Sequence, residues 1–258
     1  MVSIFEDGRF VVLFLIILLR YLILAAVAYL VFYHFKKHVW HYKKIQLRFP
    51  QGRDYFREIL YSFITAIIFA LVGYLIFMTP FRSYTKLYTQ LDEYGMIYFF
   101  FSVLLMLVIH DTYFYWTHRA MHHPRLFAIF HRVHHLSTNP SPWAAFAFHP
   151  LEAVVEAGII LVLALIMPVH AYSIALFLLI MMFYNVYGHL GYELYPRGFT
   201  NTWVGKWLNT SVNHNQHHQS FKGNYGLYFL WWDRWMGTIR PDYDQTFEEV
   251  KMRKQPLH

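Results

Sequence analysis

The chain contains no cysteine. Disulfides, thiolate metal sites, iron–sulfur clusters and cysteine nucleophiles are therefore excluded from it. Any metal must be held by His, Asp, Glu, Asn or water. Charge is scarce too: 14% of the 258 residues are Asp, Glu, Lys or Arg, against 57% hydrophobic residues, and the mean hydropathy is +0.29. That is too apolar for an ordinary soluble domain. The chain has no glycine fingerprint for nucleotides, no haem-attachment motif and no flavin signature. It has neither the His-Glu-x-x-His of zinc hydrolases nor the Glu-x-x-His of carboxylate-bridged di-iron bundles. No linker or low-complexity tract interrupts it, and nothing reads as strand.

Long apolar runs dominate instead. Phe10 to Tyr33, broken only by Arg20, fits a membrane span. Leu60 to Met78 is a second, and Met96 to Trp116 a third, with His110 and Asp111 inside it. Glu152 to Met167 and Ala171 to Gly188 flank Pro168 as two shorter stretches, either a hairpin of tilted spans or a pair dipping in from one face. The first run is long, lacks a basic start and has no small-residue cleavage site, so it reads as a retained span and not a signal peptide. The expected fold is an all-α polytopic membrane protein with about four to five membrane-embedded helices. One membrane domain over 1–258 is expected. In it, 1–95 form an anchor, a basic loop and the second span; 96–240 form a histidine-rich catalytic region; 241–258 form a charged tail.

The net charge of +7 has a location. Lys36, Lys37, Lys43, Lys44, Arg48, Arg53 and Arg57 lie between the first two spans, while Pro80 to Gly95 is nearly neutral. That asymmetry is the positive-inside pattern. It predicts an integral protein of a bacterial inner membrane or the endoplasmic reticulum, with the N-terminus outside and the region after the third span on the cytoplasmic side. Anionic headgroups suffice as partners for the positive charge, and no nucleic acid is needed.

Histidine is the informative residue. There are 17, and nine fall in three short clusters: His118-x-x-x-His122-His123, His131-x-x-His134-His135 and His214-x-x-His217-His218. On a helix, residues three and four apart share a face, so each cluster can aim two or three imidazoles at one point. Imidazole is a strong ligand for iron, zinc, copper and nickel. The most ligand-like positions are His118, His122, His131, His134, His135, His214, His217 and His218, with His189 well placed as a ninth. So many ligands exceed the needs of one ion, and two ions with four or five imidazoles each is the natural division. His123 competes with His122 for one position. His110, Asp111 and His149 read either as structural or as groups that touch and orient a ligand; if the third helix continues, Asp111, His118 and His122 share a face. His34, His38 and His41 lie among lysines and read as solvated. His170 falls on the opposite side, and His258 is terminal.

These motifs carry a resemblance. The run His110-Asp-Thr-Tyr-Phe-Tyr-Trp-Thr-His118-Arg is followed by His122-His123, His131-x-x-His134-His135, His149-Pro-Leu-Glu152 and Asn213-His214-x-x-His217-His218. Gly223-Asn-Tyr-Gly226 and Trp232-Asp-Arg-Trp-Met-Gly-Thr238 come after. In this order they resemble the fatty acid hydroxylase/sterol desaturase superfamily over residues 100–240. The resemblance implies a membrane non-haem di-iron enzyme that uses dioxygen and two external electrons to attack a lipid C–H bond, giving a hydroxyl group or a double bond. Hydroxylation is the favoured outcome, from the breadth of the family. Some members carry a further His-x-x-x-His pair where this chain reads Asn185-x-x-x-His189, so only His189 carries over and a ligand at Asn185 is in doubt. The implied partners are an acyl, sterol or related lipid and a separate ferredoxin, b-type cytochrome or reductase. The competing readings are a membrane zinc hydrolase and a metal transporter or sensor.

Overall fold

The computed structural model describes residues 8–254, so His258 lies outside the described residues. Helix α1 spans Gly8–Tyr29 and runs on as a π-helical turn, Leu30–Phe35. Its buried residues include Ile17, Tyr21 and Ala25, four apart, which places one stripe against the bundle. Ile16, Ile23 and Val27 on the other faces are exposed, as lipid-facing side chains are. Helix α2, Gly52–Met78, starts at a reciprocal cap between Gln51 and Asp54. Ser62, Ala66 and Ala70 are fully buried along it, and this small-residue stripe lets neighbouring backbones approach closely.

Helix α3 covers Gly95–Met121 without a break, so the third span does continue into the first histidine cluster. Two short helices follow, α4 (Pro124–Phe130) and α5 (Arg132–His135). The chain then leaves helix through Asn139 and Pro140 and makes a 3-10 turn at Pro142–Phe146. Helices α6 (Pro150–Ile166) and α7 (Ala171–Gly188) form the predicted hairpin. The polar helix α8 (Ser211–Ser220), α9 (Trp231–Trp235) and α10 (Tyr243–Met252) complete the fold. Among the described residues, four helices are long and apolar enough to cross a membrane: Gly8–Phe35, Gly52–Met78, Gly95–Met121 and Ala171–Gly188.

One feature differs from the sequence reading, and it bears on an alternative left open there. The chain does contain strand, in a minimal form: β1 (Leu87–Tyr88) pairs in parallel with β2 (Val169–His170). Two-residue strands leave no alternating pattern to read. That pairing also resolves the hairpin. The α6–α7 turn meets the α2–α3 connection at the end of the bundle away from the histidine clusters, so the hairpin reaches from one end of the bundle to the other. His170 sits at that far end, where its Nδ1 caps α7 by accepting from the Tyr172 N–H.

The basic loop between α1 and α2 lies at the histidine end. A β-bridge joins Lys44 to Tyr192, and Gln46 donates to the Thr138 carbonyl and the Asn215 side chain. His34 and His38 are exposed there, while His41 is half-buried and contacts the Leu47 carbonyl.

Candidate metal centre

The nine imidazoles converge as two groups at the ends of the long helices. One comprises His118, His122, His131, His135 and His217; the other comprises His134, His189, His214 and His218. Within each group the ligand atoms lie within 4.8 Å of one another.

The division corrects one expectation. A single box does not aim at a single point: each HxxHH serves both groups. The first and last histidines of a box, four apart, differ by about 40° around the helix and stay together, as His131 with His135 and His214 with His218 do. The middle histidine is turned about 60° to the other side, and His134 and His217 cross over to the opposite group.

Local sequence explains the placement. α3 delivers His118, and His122 is its C-cap residue. His189 caps the end of α7. α8 is polar throughout yet buried from Ser211 to His218. The backbone of its first turn is partnered: the Thr210 hydroxyl accepts from the Asn213 N–H, and the buried Glu193 carboxylate accepts from the Val212 N–H, while the Asn213 side-chain amide and Asn215 Nδ2 are buried without a partner.

The hydrogen bonds behind the rings decide what the site can hold. His118 donates through Nδ1 to the Tyr225 carbonyl at 2.9 Å, His189 to the Asn185 carbonyl at 2.8 Å, His217 to the Gly223 carbonyl at 2.7 Å and His218 to the Ser137 carbonyl at 3.0 Å. His134 Nδ1 faces the Ala147 carbonyl at 3.4 Å, and His131 Nδ1 lies 2.6 Å from a Glu152 carboxylate oxygen. A carbonyl oxygen cannot donate, so the proton sits on Nδ1 and each Nε2 presents a lone pair. Those lone pairs face one another. His189 Nε2 is 3.0 Å from that of His214, 3.1 Å from that of His218 and 3.2 Å from that of His134. His217 Nε2 is 3.0 Å from that of His135 and 3.1 Å from that of His122. The buried Nε2 of His131 has no partner.

Lone pairs converging at such distances repel unless a cation lies between them. Metal–imidazole bonds of about 2.1 Å put adjacent ligands on the order of 3 Å apart, so the donor set fits transition-metal ions. Burial, with help from the neighbouring imidazoles, pushes His131, His134, His135, His214, His217 and His218 well below the ordinary histidine range. Burial lowers His189 to about 4 and His122 to about 2. All are therefore neutral donors near pH 7.

The remaining candidates lie outside the two groups. His123 caps α4, its Nδ1 accepting from the Arg125 N–H, and His149 caps α6 in the same way through the Leu151 N–H. Asp111 does not touch an imidazole; its carboxylate accepts from the backbone N–H groups of Tyr228 and Phe229 and ties the C-terminal segment to α3. Asn185 uses its side chain on the Ala145 carbonyl, while its backbone carbonyl receives the His189 N–H. His110 contacts the Tyr228 hydroxyl. The carboxylate that does orient a clustered imidazole is Glu152 on α6, and sequence reasoning missed that role. The available signal was a glutamate in the first turn of a helix that is apolar but for it and Glu156. The carbonyls of Gly223 and Tyr225 had no signal beyond the glycine-rich turn that carries them.

Fold and site together define a helical membrane protein with two groups of converging imidazoles, each able to hold a metal ion, at one end of its bundle. The chain belongs to the fatty acid hydroxylase family, which it matches over residues 103–238. It is 31% identical over 202 residues to a Delta(7)-sterol 5(6)-desaturase of Gibberella zeae, covering 77% of this chain and 61% of that protein. A Delta(7)-sterol 5(6)-desaturase of Schizosaccharomyces pombe is 32% identical over 70% of this chain and 52% of its own length. The lathosterol oxidase of Rattus norvegicus is 29% identical over 74% of this chain and 62% of its own. The chain thus spans between half and two thirds of the length of these relatives. No solved structure matches it.

Proposed function

We propose that this chain is a membrane-bound non-haem di-iron oxygenase that oxidises a C–H bond of a lipid with dioxygen and electrons from a separate donor. One observation carries the reading: the two imidazole groups lie beneath an apolar cavity of about 470 Å³ between the spans. Along α7 the cavity extends from Ala171 to Asn185, fourteen residues, or about 21 Å at 1.5 Å per residue. Its lower wall includes Phe114, Phe148, Asn185 and Leu227. The Phe114 ring is 5.0 Å from that of His118, and the Phe148 ring is 5.2 Å from that of His134. A single layer of aromatic rings therefore separates the lipid space from the imidazoles.

Two irons held by the nine histidines would supply the redox chemistry that breaking a strong C–H bond requires. The chain's own residues do the rest. Glu152 and the backbone carbonyls hold His118, His131, His134, His189, His217 and His218 in the tautomer and orientation that offers Nε2. The buried polar helix α8 and the aromatic floor keep bulk water from the reacting end. The apolar walls bind the lipid body and set which carbon approaches the floor.

A sterol-like lipid is the proposed substrate class, because the similar proteins are named as sterol desaturases and lathosterol oxidases. Hydroxylation is the outcome the breadth of the family favours; desaturation is the second reading, and the names of the similar proteins favour it. The basic loop beside the sites supports a cytoplasmic placement of the histidine groups and an acidic electron donor. The test is to incubate iron-loaded protein with a Delta(7)-sterol, dioxygen and a reducing system. A product that has gained oxygen supports hydroxylation, and one that has lost a hydrogen pair supports desaturation. No oxygen-dependent conversion of any lipid offered would count against the proposal.

A further inference from the structure

The cavity wall is not wholly apolar. His110, Glu156 and Arg20 bring polar side chains into it. His110 is 1% exposed; its Nδ1 lies 2.8 Å from the Tyr228 hydroxyl, and its Nε2 has no partner. Glu156, one turn beyond Glu152 on α6, makes no hydrogen bond or ion pair among the described residues, and neither does Arg20. A buried polar atom without a partner is costly, and the unpartnered His110 Nε2, in one ligand-sized cavity with a Glu156 carboxyl that no other side chain engages, marks a place where a ligand atom belongs.

We propose that His110 and Glu156 bind a hydroxyl group of the substrate, so that the lipid is an alcohol held with its hydroxyl toward the metal end. This rests on the reading of the cavity as the lipid site. A hydroxyl donates and accepts at once, and so satisfies an imidazole nitrogen and a carboxyl group together. A hydrocarbon satisfies neither, and a carboxylate would face the Glu156 carboxyl.

The position has a consequence for chemistry. His110 lies eight residues before His118 on the same helix, about 12 Å along the axis. The rings are linked through Phe114, 6.1 Å from His110 and 5.0 Å from His118. A hydroxyl held there leaves room for only a few bonds between it and the carbon above the floor. The C–H bond attacked is therefore close to the substrate's own hydroxyl, and the rest of the molecule extends toward Ala171 and Tyr172 at the far end.

The test is competition binding to the purified, metal-loaded full chain. A radiolabelled Delta(7)-sterol is displaced by the unlabelled sterol, by its methyl ether and by its deoxy hydrocarbon. The wild type is expected to prefer the alcohol by about 10- to 100-fold, the range for a hydrogen bond made in a buried site. His110→Phe and Glu156→Leu should each remove most of that preference while metal content is unchanged; Arg20→Met should keep it. Equal affinity for all three compounds in the wild type overturns the hydroxyl site but leaves the lipid cavity standing, and needs no variant to fold. Loss of the preference in Arg20→Met alone overturns the assignment to His110 and Glu156. No binding of any of the three overturns the lipid cavity, and the hydroxyl site with it.

Discussion

Replacing Glu152 with alanine removes the carboxylate that holds His131. The contact is short, 2.6 Å, and both side chains are at most 3% exposed, so water offers no substitute. A hydrogen bond to a charged group contributes about 1.5–3 kcal/mol. At about 1.4 kcal/mol per tenfold in affinity, that corresponds to a loss of roughly 10- to 150-fold in metal binding, in line with the ~10- to 100-fold cost of removing the group behind a ligating histidine. Glu152→Gln keeps an acceptor oxygen for the His131 N–H but loses the charge, so its loss should be near the lower end. The effect should be local. His131 belongs to the group of five, so that ion should be lost first while the group of four keeps its own. The assay is titration of bound metal against a calibrated chelator, with the two variants beside the wild type. Wild-type affinity for both ions in Glu152→Ala, or parallel loss of both in Glu152→Gln, would refute the reasoning.

Other outcomes follow from the same geometry. His38→Ala should leave metal content and activity close to wild type, because the side chain is exposed; a strong loss in either would show that the basic loop contributes to the site. Gly223→Ala should destabilise the protein by about 1–3 kcal/mol. The residue sits at φ +75°, a Cβ there would lie 2.5 Å from the Thr238 carbonyl oxygen, and its own carbonyl holds His217. Chemical denaturation together with metal content checks it, and an unchanged midpoint would contradict it. The metal-free protein should lose stability as pH falls. Its buried histidines titrate below their unfolded value of about 6.5, so the unfolded chain takes up protons that the native state cannot. The stability is fully present above that value and declines below it; His189, lowered to about 4, contributes on the order of 3 kcal/mol of the decline. A denaturation midpoint flat between neutral pH and pH 4.5 would contradict this.

What was legible in the chain depended on whether the signal was local. The spans could be read because lipid-facing helices must be apolar over their whole length, and α1, α2 and α3 announce themselves that way. The boxes could be read because ligand spacing follows helical spacing. The division of each box between two groups could not, since it depends on how α5 and α8 are rotated against each other. Glu152 was invisible as a partner of His131 because 21 residues and a change of element separate them. Asp111, left open between a structural role and orienting a ligand, shows the limit from the other side. Its place on the face of His118 is real, yet the C-terminal backbone reaches the carboxylate first. His149 and His123 each stand directly before a proline, a local signal of helix caps, and both cap the helices that follow.

The central claim is that the nine imidazoles hold two separate ions. The most direct measurement is the metal content of protein purified from iron-replete medium, for the wild type, His134→Ala and His217→Ala. The account predicts about two irons per chain in the wild type and about one in each variant, because each substitution opens a different group. A single ion in the wild type, or undiminished metal in either variant, would contradict it.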